Sequence, residues 1–435
     1  MNSIDYIEDI ISNDLCVRCG TCIAICPKRV YELDEDSSYP IVVRREYCNN
    51  CLLCEKVCPG REVDFPDHYE RIFGTSFDPE NVNGYYKNLY IAHACDNEIR
   101  NSGGSGGVAT AMLVGLLEEK MIDAAVVVGM KADDPTKPTG MIARSKKELL
   151  ITAQSKYAVV APNVVLSEIR KKGEYFAFVG LPCQVHALQK WLMIDRRMRK
   201  SLVLIIGLYC CSTLSREAAP GLLRAKKIKK NEVKKLHYRA GNWPGGIEVI
   251  LKDDRKIRLH ASNIKDGAFV YLRHLYSVER CLTCIDGSCE FSDIALADPW
   301  IKQKGRWVYE GGWTITVSRT AHAEETLKKL AKEGYLHIEK MKHEYLDMSQ
   351  TPMVAQKRRR AQNRIIYRTK KKLYIPYYGY KIRAEDKKIK MRDLIDYSFR
   401  FLGRNRHTRL AATWLLCSGM LSPLIEIRSK IKGKK

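Results

Sequence analysis

Between residues 85 and 345, short apolar runs alternate with amphipathic stretches. Leu89–Ala94, Ala124–Val128, Tyr175–Val179 and Leu202–Leu208 are nearly continuous apolar runs of strand length. Val108–Lys120, Pro162–Lys172 and Pro182–Trp191 read as the helices between them. Buried strands separated by helical patterns are the signature of an α/β domain. On either side the pattern changes. Residues 1–65 are organised by spaced cysteines, and residues 346–435 form a basic tail with an apolar patch near its end.

At 435 residues the chain is long enough for two or three domains. Charge sharpens the outer boundary. From Lys357 to Lys435 there are 24 Lys and Arg against 5 Asp and Glu, so the tail carries most of the net charge of +24. The first 356 residues hold 50 basic and 45 acidic side chains and are nearly neutral. No stretch offers the roughly 18 apolar residues a spanning helix needs. The nearest candidate, Leu410 to Ile425, is interrupted by Thr413, Ser418, Gly419, Ser422 and Pro423. The acidic opening MNSIDYIEDIIS does not read as a secretory signal. A reducing cytoplasm is the expected compartment, and there 16 cysteines point to metal binding or redox work, not disulfides.

Eight of those cysteines form a repeat. Cys16-x-x-Cys19-x-x-Cys22-x-x-x-Cys26-Pro27 recurs as Cys48-x-x-Cys51-x-x-Cys54-x-x-x-Cys58-Pro59. Thiolates are soft ligands suited to iron–sulfur clusters, and the fourth cysteine of such a run ligates the other cluster in two-cluster ferredoxins. The expected sets are therefore Cys16, Cys19, Cys22 and Cys58 for one 4Fe-4S cluster, and Cys48, Cys51, Cys54 and Cys26 for a second. A zinc site would want pairs separated by longer gaps.

Two further features lie in the α/β segment. Asn101-Ser102-Gly103-Gly104-Ser105-Gly106-Gly107 stands between an expected strand and a helix starting at Val108. Such a loop lets backbone N–H groups close on a phosphate at a helix N-terminus. By itself it fits a flexible linker nearly as well, and no acidic residue follows at the position that would mark NAD binding. The second feature is a scattered cysteine set. Cys183 follows the strand-like FAFVG, Cys210 ends LVLIIGLY, and Cys281 and Cys284 form a CxxC. Ligands gather at the carboxyl ends of strands in α/β sheets, so these four are enough for a third thiolate site. Cys289 is a substitute ligand by its proximity to the CxxC, and single cysteines are also common as small buried hydrophobes, the reading given to Cys95 and Cys417.

These residues resemble the beta subunits of coenzyme F-420 hydrogenases and dehydrogenases. The resemblance covers residues 85 to 320 and rests on SGGSGGVATAML, IDAAVVVG, SKYAVV, FAFVGLPCQVHAL, the strand ending at Tyr209-Cys210, and CLTCIDGSCEFSDIALADPW, in the family's order. It implies FAD bound near Ser102, Gly103, Gly104, Ser105, Gly106 and Gly107, with Thr110, Lys156 and Tyr157 as neighbours. It also implies a 4Fe-4S cluster on Cys183, Cys210, Cys281 and Cys284. Here the chain departs from its relatives, which carry a single cysteine where Cys210-Cys211 stands. Asp293 and Asp298 match family positions near the cofactor, although both also read as turn residues.

The expected architecture is α+β: a ferredoxin-like two-cluster domain over 1–65, an α/β FAD and 4Fe-4S domain over 66–345, and a basic, mainly helical extension over 346–435. The expected activity is electron exchange between a deazaflavin or other hydride-carrying small molecule, FAD and the clusters, with a protein redox partner. Arg144, Lys156 and Arg239 are candidates for an acidic coenzyme tail. Reduction of another organic substrate on the same scaffold, including work linked to polysaccharide synthesis, and a non-catalytic electron relay are the rival readings. Arg358–Arg360, Lys370–Lys372 and the Leu410–Leu416 patch suggest peripheral contact with the inner face of a membrane; the alternative reading of the tail is a solvated helical extension that covers the core. No nucleic-acid recognition motif accompanies the charge.

Overall fold

A computed structural model describes residues 2–241, 243, 245–259, 274–383, 398 and 400–417. The first helix, Ser3–Ser12, is set by a capping box. The Asn2 side-chain oxygen Oδ1 accepts from the Ile4 and Asp5 N–H groups, and the Asp5 carboxylate accepts from the Asn2 N–H. A small hairpin, β1 (Tyr31–Leu33) and β2 (Pro40–Val42), separates the two cysteine runs. Both runs use the same backbone device. Arg18 and Gly20 in the first, and Asn50 and Leu52 in the second, adopt left-handed conformations two and four residues after the leading cysteine. For non-glycine residues this costs roughly 1–2 kcal/mol each.

The main body is built on one eight-stranded sheet. Its members are β3 (Asn88–Ala94), β4 (Ala124–Met130), β5 (Pro138–Ala143), β6 (Phe176–Gly180), β7 (Leu202–Leu208), β11 (Ile294–Ala297), β14 (Thr314–Ser318) and β15 (Leu336–Lys340). The spatial order is β15-β3-β14-β11-β7-β6-β4-β5. The central four strands β11, β7, β6 and β4 run parallel, and the remaining pairings are antiparallel. Two small elements complete the strands: a sheet of β8 (Val233–Ala240), β9 (Gly246–Leu251) and β10 (Lys256–Arg258), and a ribbon of β12 (Lys302–Gln303) and β13 (Arg306–Trp307).

Both faces of the large sheet are covered, which is why its strands read as unbroken apolar runs. Alternate residues supply the two cores. Ala125, Val127, Ala177, Leu204, Ile206 and Leu296 pack with Met112, Leu116, Leu327 and Leu330 from the helices Val108–Glu118 and Ala321–Lys332. Ala124, Val126, Phe176, Phe178 and Ile205 pack with Leu188 and Trp191 of the helix Pro182–Ile194 on the opposite face. That second core also takes in Phe65, Ala361, Ile365 and Tyr378, which joins the cysteine-rich segment, the sheet and the basic tail into one packed unit.

The four expected strands are present to within two residues at either end, and Leu202–Leu208 is matched at both ends. The expected helix Pro162–Lys172 begins as a tighter 3-10 turn, Pro162–Val165, before the α-helix Leu166–Lys172. The tail differs more. Its helix Thr351–Lys370 buries Val354, Arg358, Ala361 and Ile365 against the body. Arg358, expected on a membrane-facing surface, is 1% exposed and ion-paired with the buried Glu290. The helix Arg406–Cys417 lies on the helix Ala218–Ala225, where Thr413 and Tyr276 hydroxyls meet at 2.8 Å, while Trp414 remains exposed. Residues 418–425 of the expected apolar patch lie outside the described residues. Among the described residues no helix is long and apolar enough to cross a membrane.

Candidate functional site

Strand direction places the chemistry. β3, β4, β6, β7 and β11 all point the same way, so Ala94, Gly180, Leu208 and Ala297 end at one edge of the sheet. The glycine loop, Cys183, Cys210 and Asp298 follow those ends. From β3 to β7 there are three strand spacings, roughly 14 Å. The loop is tied to this edge by named bonds. Ala94 N–H donates to Gly106 O at 2.7 Å, Gly106 N–H to Thr314 Oγ1 at 2.9 Å, and Ser105 Oγ to Trp313 O. A Cβ on Gly106 would lie 2.8 Å from Ala92 O, so only glycine allows the loop to sit this close to the strand. Gly107, at φ +71°, opens the helix Val108–Glu118 with no side chain capping it.

In the N-terminal segment the thiols group across the two runs. The electrostatic neighbours of half-buried Cys16 and Cys22 include Cys19 and Cys58, whereas Cys54 is matched with Cys26. Cys26, Cys48, Cys51 and Cys54 line a single cavity together with Pro27, Lys28 and Tyr31. Backbone N–H groups aim at sulfur: Arg18 to Cys16, Val30 to Cys26 and Gly60 to Cys58, each at 3.4 Å. Burial pushes Cys16 up to about 12 and Cys54 and Cys58 up to about 11. A thiol this buried becomes a thiolate ligand only when a cation compensates it. Among the described residues no three His, Cys, Asp or Glu side chains converge on a point as for a single metal ion.

The scattered cysteines also come together. Cys183 has Cys284, Cys281 and Cys210 as its strongest electrostatic neighbours, followed by Cys19 of the N-terminal segment. Cys22 in turn neighbours Cys54. The three sets thus follow one another from the sheet edge to Cys51, which is exposed. Cys211 is only the last of the Cys210 neighbours. Cys289 is buried below this group, 3.9 Å from Gly180 O, with Asp286 and Arg319 ahead of Cys210 among its neighbours. Cys95 is exposed, so the buried-hydrophobe reading fails for it, and the Cys417 side chain lies outside the described residues.

Comparison with known proteins agrees with this layout. Residues 8–60 match the 4Fe-4S dicluster domain. Residues 89–167 and 173–344 match the N-terminal and C-terminal models of the coenzyme F-420 hydrogenase/dehydrogenase beta subunit, together more than half of the chain. The chain belongs to the coenzyme F-420 hydrogenase/dehydrogenase beta subunit family. It is 26% identical over 75% of its length to the coenzyme F-420-dependent sulfite reductase of Methanocaldococcus jannaschii, of which it spans about half, 48%. It is 27% identical over 68% of its length to the beta subunit of coenzyme F-420 hydrogenase from Methanococcus voltae, covering 99% of that protein. In fold it matches a chain of the F-420-reducing NiFe hydrogenase complex from Methanosarcina barkeri, with a TM-score of 0.54 and 21% identity over 70% of this chain and 99% of that one.

The residues of this family member that were expected to hold a flavin are partly gathered. Lys156 donates to the Thr152, Ala153 and Gln154 carbonyls, at 2.5, 2.6 and 3.0 Å, and follows Ser155, which borders Gly104. Burial, with no carboxylate to offset it, pulls Lys156 down to about 7. The uncapped helix N-terminus suits a phosphate, and the Lys156 ammonium, its three N–H groups held by carbonyls, adds positive charge near the loop. Arg239 lies against Gly104 and bonds both Asp298, at 3.0 Å, and Tyr157, at 3.2 Å. Thr110 is in the first turn of the same helix. Two expectations separate from this group. Arg144 pairs with Glu168 and Glu174 on the surface. Asp293 is half-buried, accepting from Ile205 N–H at 2.8 Å and Thr320 Oγ1 at 3.0 Å, which locks β7 to the chain after β14.

The frame of the scattered set escaped sequence reading. Lys357 Nζ donates to Cys210 O at 2.8 Å and Asp286 O at 2.5 Å. His186 and Asp286 pair at 2.8 Å in the core. Arg280 donates to Tyr378 Oη at 3.0 Å and reaches Pro59 O at 3.5 Å, bridging the two cysteine regions. The Cys183-x-x-His186 spacing, one face of a helix, was the one local signal of this frame.

Proposed function

We propose that this chain is an iron–sulfur flavoprotein oxidoreductase of the coenzyme F-420 type, exchanging electrons between a deazaflavin or similar hydride carrier and its 4Fe-4S clusters, with FAD as its flavin. The unbroken order of three thiol sets, from the glycine-loop edge to exposed Cys51, carries the reading. Cys183, Cys210, Cys281 and Cys284 would hold a cluster beside the flavin. Cys16, Cys19, Cys22 and Cys58 would hold the middle one, and Cys26, Cys48, Cys51 and Cys54 the outer one, where a protein redox partner would dock.

A bound flavin supplies the exchange between two-electron hydride chemistry and the one-electron chemistry of clusters. The residues do the rest. The Val108–Glu118 N-terminus, Lys156 and Arg239 hold acidic groups at the loop. Asp298 fixes the Arg239 guanidinium. Anaerobic reconstitution should give one flavin and about twelve irons per chain, and reduced deazaflavin should bleach the flavin. Loading without bleaching would rule out that hydride carrier. About eight irons would remove the inner cluster.

A further inference from the structure

The basic tail contributes a residue to the inner cysteine set. Lys357 stands on the helix Thr351–Lys370, 147 positions from Cys210 in sequence. Its side chain is directed into the body, and both of its hydrogen bonds end on carbonyls of the loops that present the cysteines: Cys210 itself, and Asp286 just after Cys284. The same Asp286 carbonyl accepts from Cys284 Sγ at 3.4 Å, so lysine and thiol converge on one oxygen. Beside it, Val354 fills the space next to Gly287, where a Cβ would come within 2.8 Å of it. The helix therefore closes over this loop and holds Lys357 in one place. The lysine's electrostatic neighbours are Cys284, Cys210, Cys281 and Asp286, three of them the thiols of this set.

A cluster that takes up one electron becomes one unit more negative. A cation fixed nearby in a low-dielectric interior favours that reduced form, and hydrogen bonds to the surrounding loop hold the charge in register. We propose that Lys357 sets the reduction potential of the inner cluster. Its ammonium, anchored on the Cys210 and Asp286 carbonyls, makes that cluster a better electron acceptor than its thiolates alone would allow. This rests on the inner cluster assigned above. The balance is simple: one electron enters the cluster, no bond forms or breaks, and Lys357 keeps its proton throughout.

The test is an EPR-monitored redox titration of the full-length reconstituted protein and its Lys357→Met and Lys357→Arg variants, with iron counted in each. With about twelve irons retained, Lys357→Met should lower one of the three couples by a tenfold or greater change in its one-electron equilibrium, which is 59 mV per tenfold, and leave the other two unmoved. Lys357→Arg should restore it. An unchanged set of three couples in Lys357→Met would overturn the proposal and leave the three-cluster reading standing. About eight irons in the unsubstituted protein would instead defeat the three-cluster reading itself. If Lys357→Met loses iron, Lys357→Gln, which keeps a donor without the charge, replaces it. Iron loss in both neutral variants would make Lys357 a positioning residue only and overturn the potential-setting role.

Discussion

The two cysteine regions gather their thiols by opposite routes. The N-terminal repeat draws its thiols from two short runs, each with left-handed residues at matching positions, and with one cysteine exchanged between them. The inner set draws on the ends of two parallel strands, β6 and β7, and on a loop seventy residues further on, closed by a helix from the tail. Local geometry determines the first, and packing determines the second. A site of the second kind depends on groups that are not ligands: Lys357, Arg280, Tyr378 and the Arg358–Glu290 pair.

That contrast can be broken at several strengths. The largest effect is expected from Cys284→Ser, which should remove about four irons of twelve while the signals of the repeat persist. Loss of all iron would mean that the two regions are not independent. Arg358→Ala comes next. It removes a cation from a buried pair, a change that costs about 3–5 kcal/mol when the remaining charge is stranded. Burial holds Glu290 up to about 7 even with Arg358 beside it, so it protonates readily and the cost should fall near 3 kcal/mol. Thermal unfolding should show that loss, with the inner iron leaving before that of the repeat.

The smallest effect concerns Lys156. Its ammonium loses a proton as pH rises through about 7, and an acidic ligand favours the protonated form. Flavin affinity should therefore be highest below pH 7 and fall by about tenfold in all above it, the equivalent of a one-unit rise in the lysine's pKa on binding. Fluorescence titration of flavin across pH 6–9 measures this, and Lys156→Met should flatten the profile. A flat profile in the unsubstituted protein would detach Lys156 from the flavin phosphate.

Much of the fold is legible in the apolar pattern alone. Unbroken apolar runs mark β3, β4, β6 and β7, because a strand covered on both faces has no polar side to blur the pattern. The glycine loop was legible as a loop, and its closeness to β3 became evident from the 2.8 Å gap that a Gly106 Cβ would leave to Ala92 O. Arg358 misled: in a run of basic residues nothing local distinguishes an arginine that meets a buried carboxylate from one that meets water. Asp293 and Arg144 were ambiguous for the same reason, since their partners Ile205, Thr320, Glu168 and Glu174 lie far along the chain.

The sequence by itself determined the repeat, its spacing and the strand-ending cysteines, because ligand spacing within a loop and strand periodicity are properties of neighbouring residues. Only the tertiary structure decided that Cys183, Cys210, Cys281 and Cys284 meet, that Cys19 is next in line, and that Lys357 of the tail faces them. Those juxtapositions depend on sheet order and helix packing, which are summed over the whole chain and written in no single segment of it.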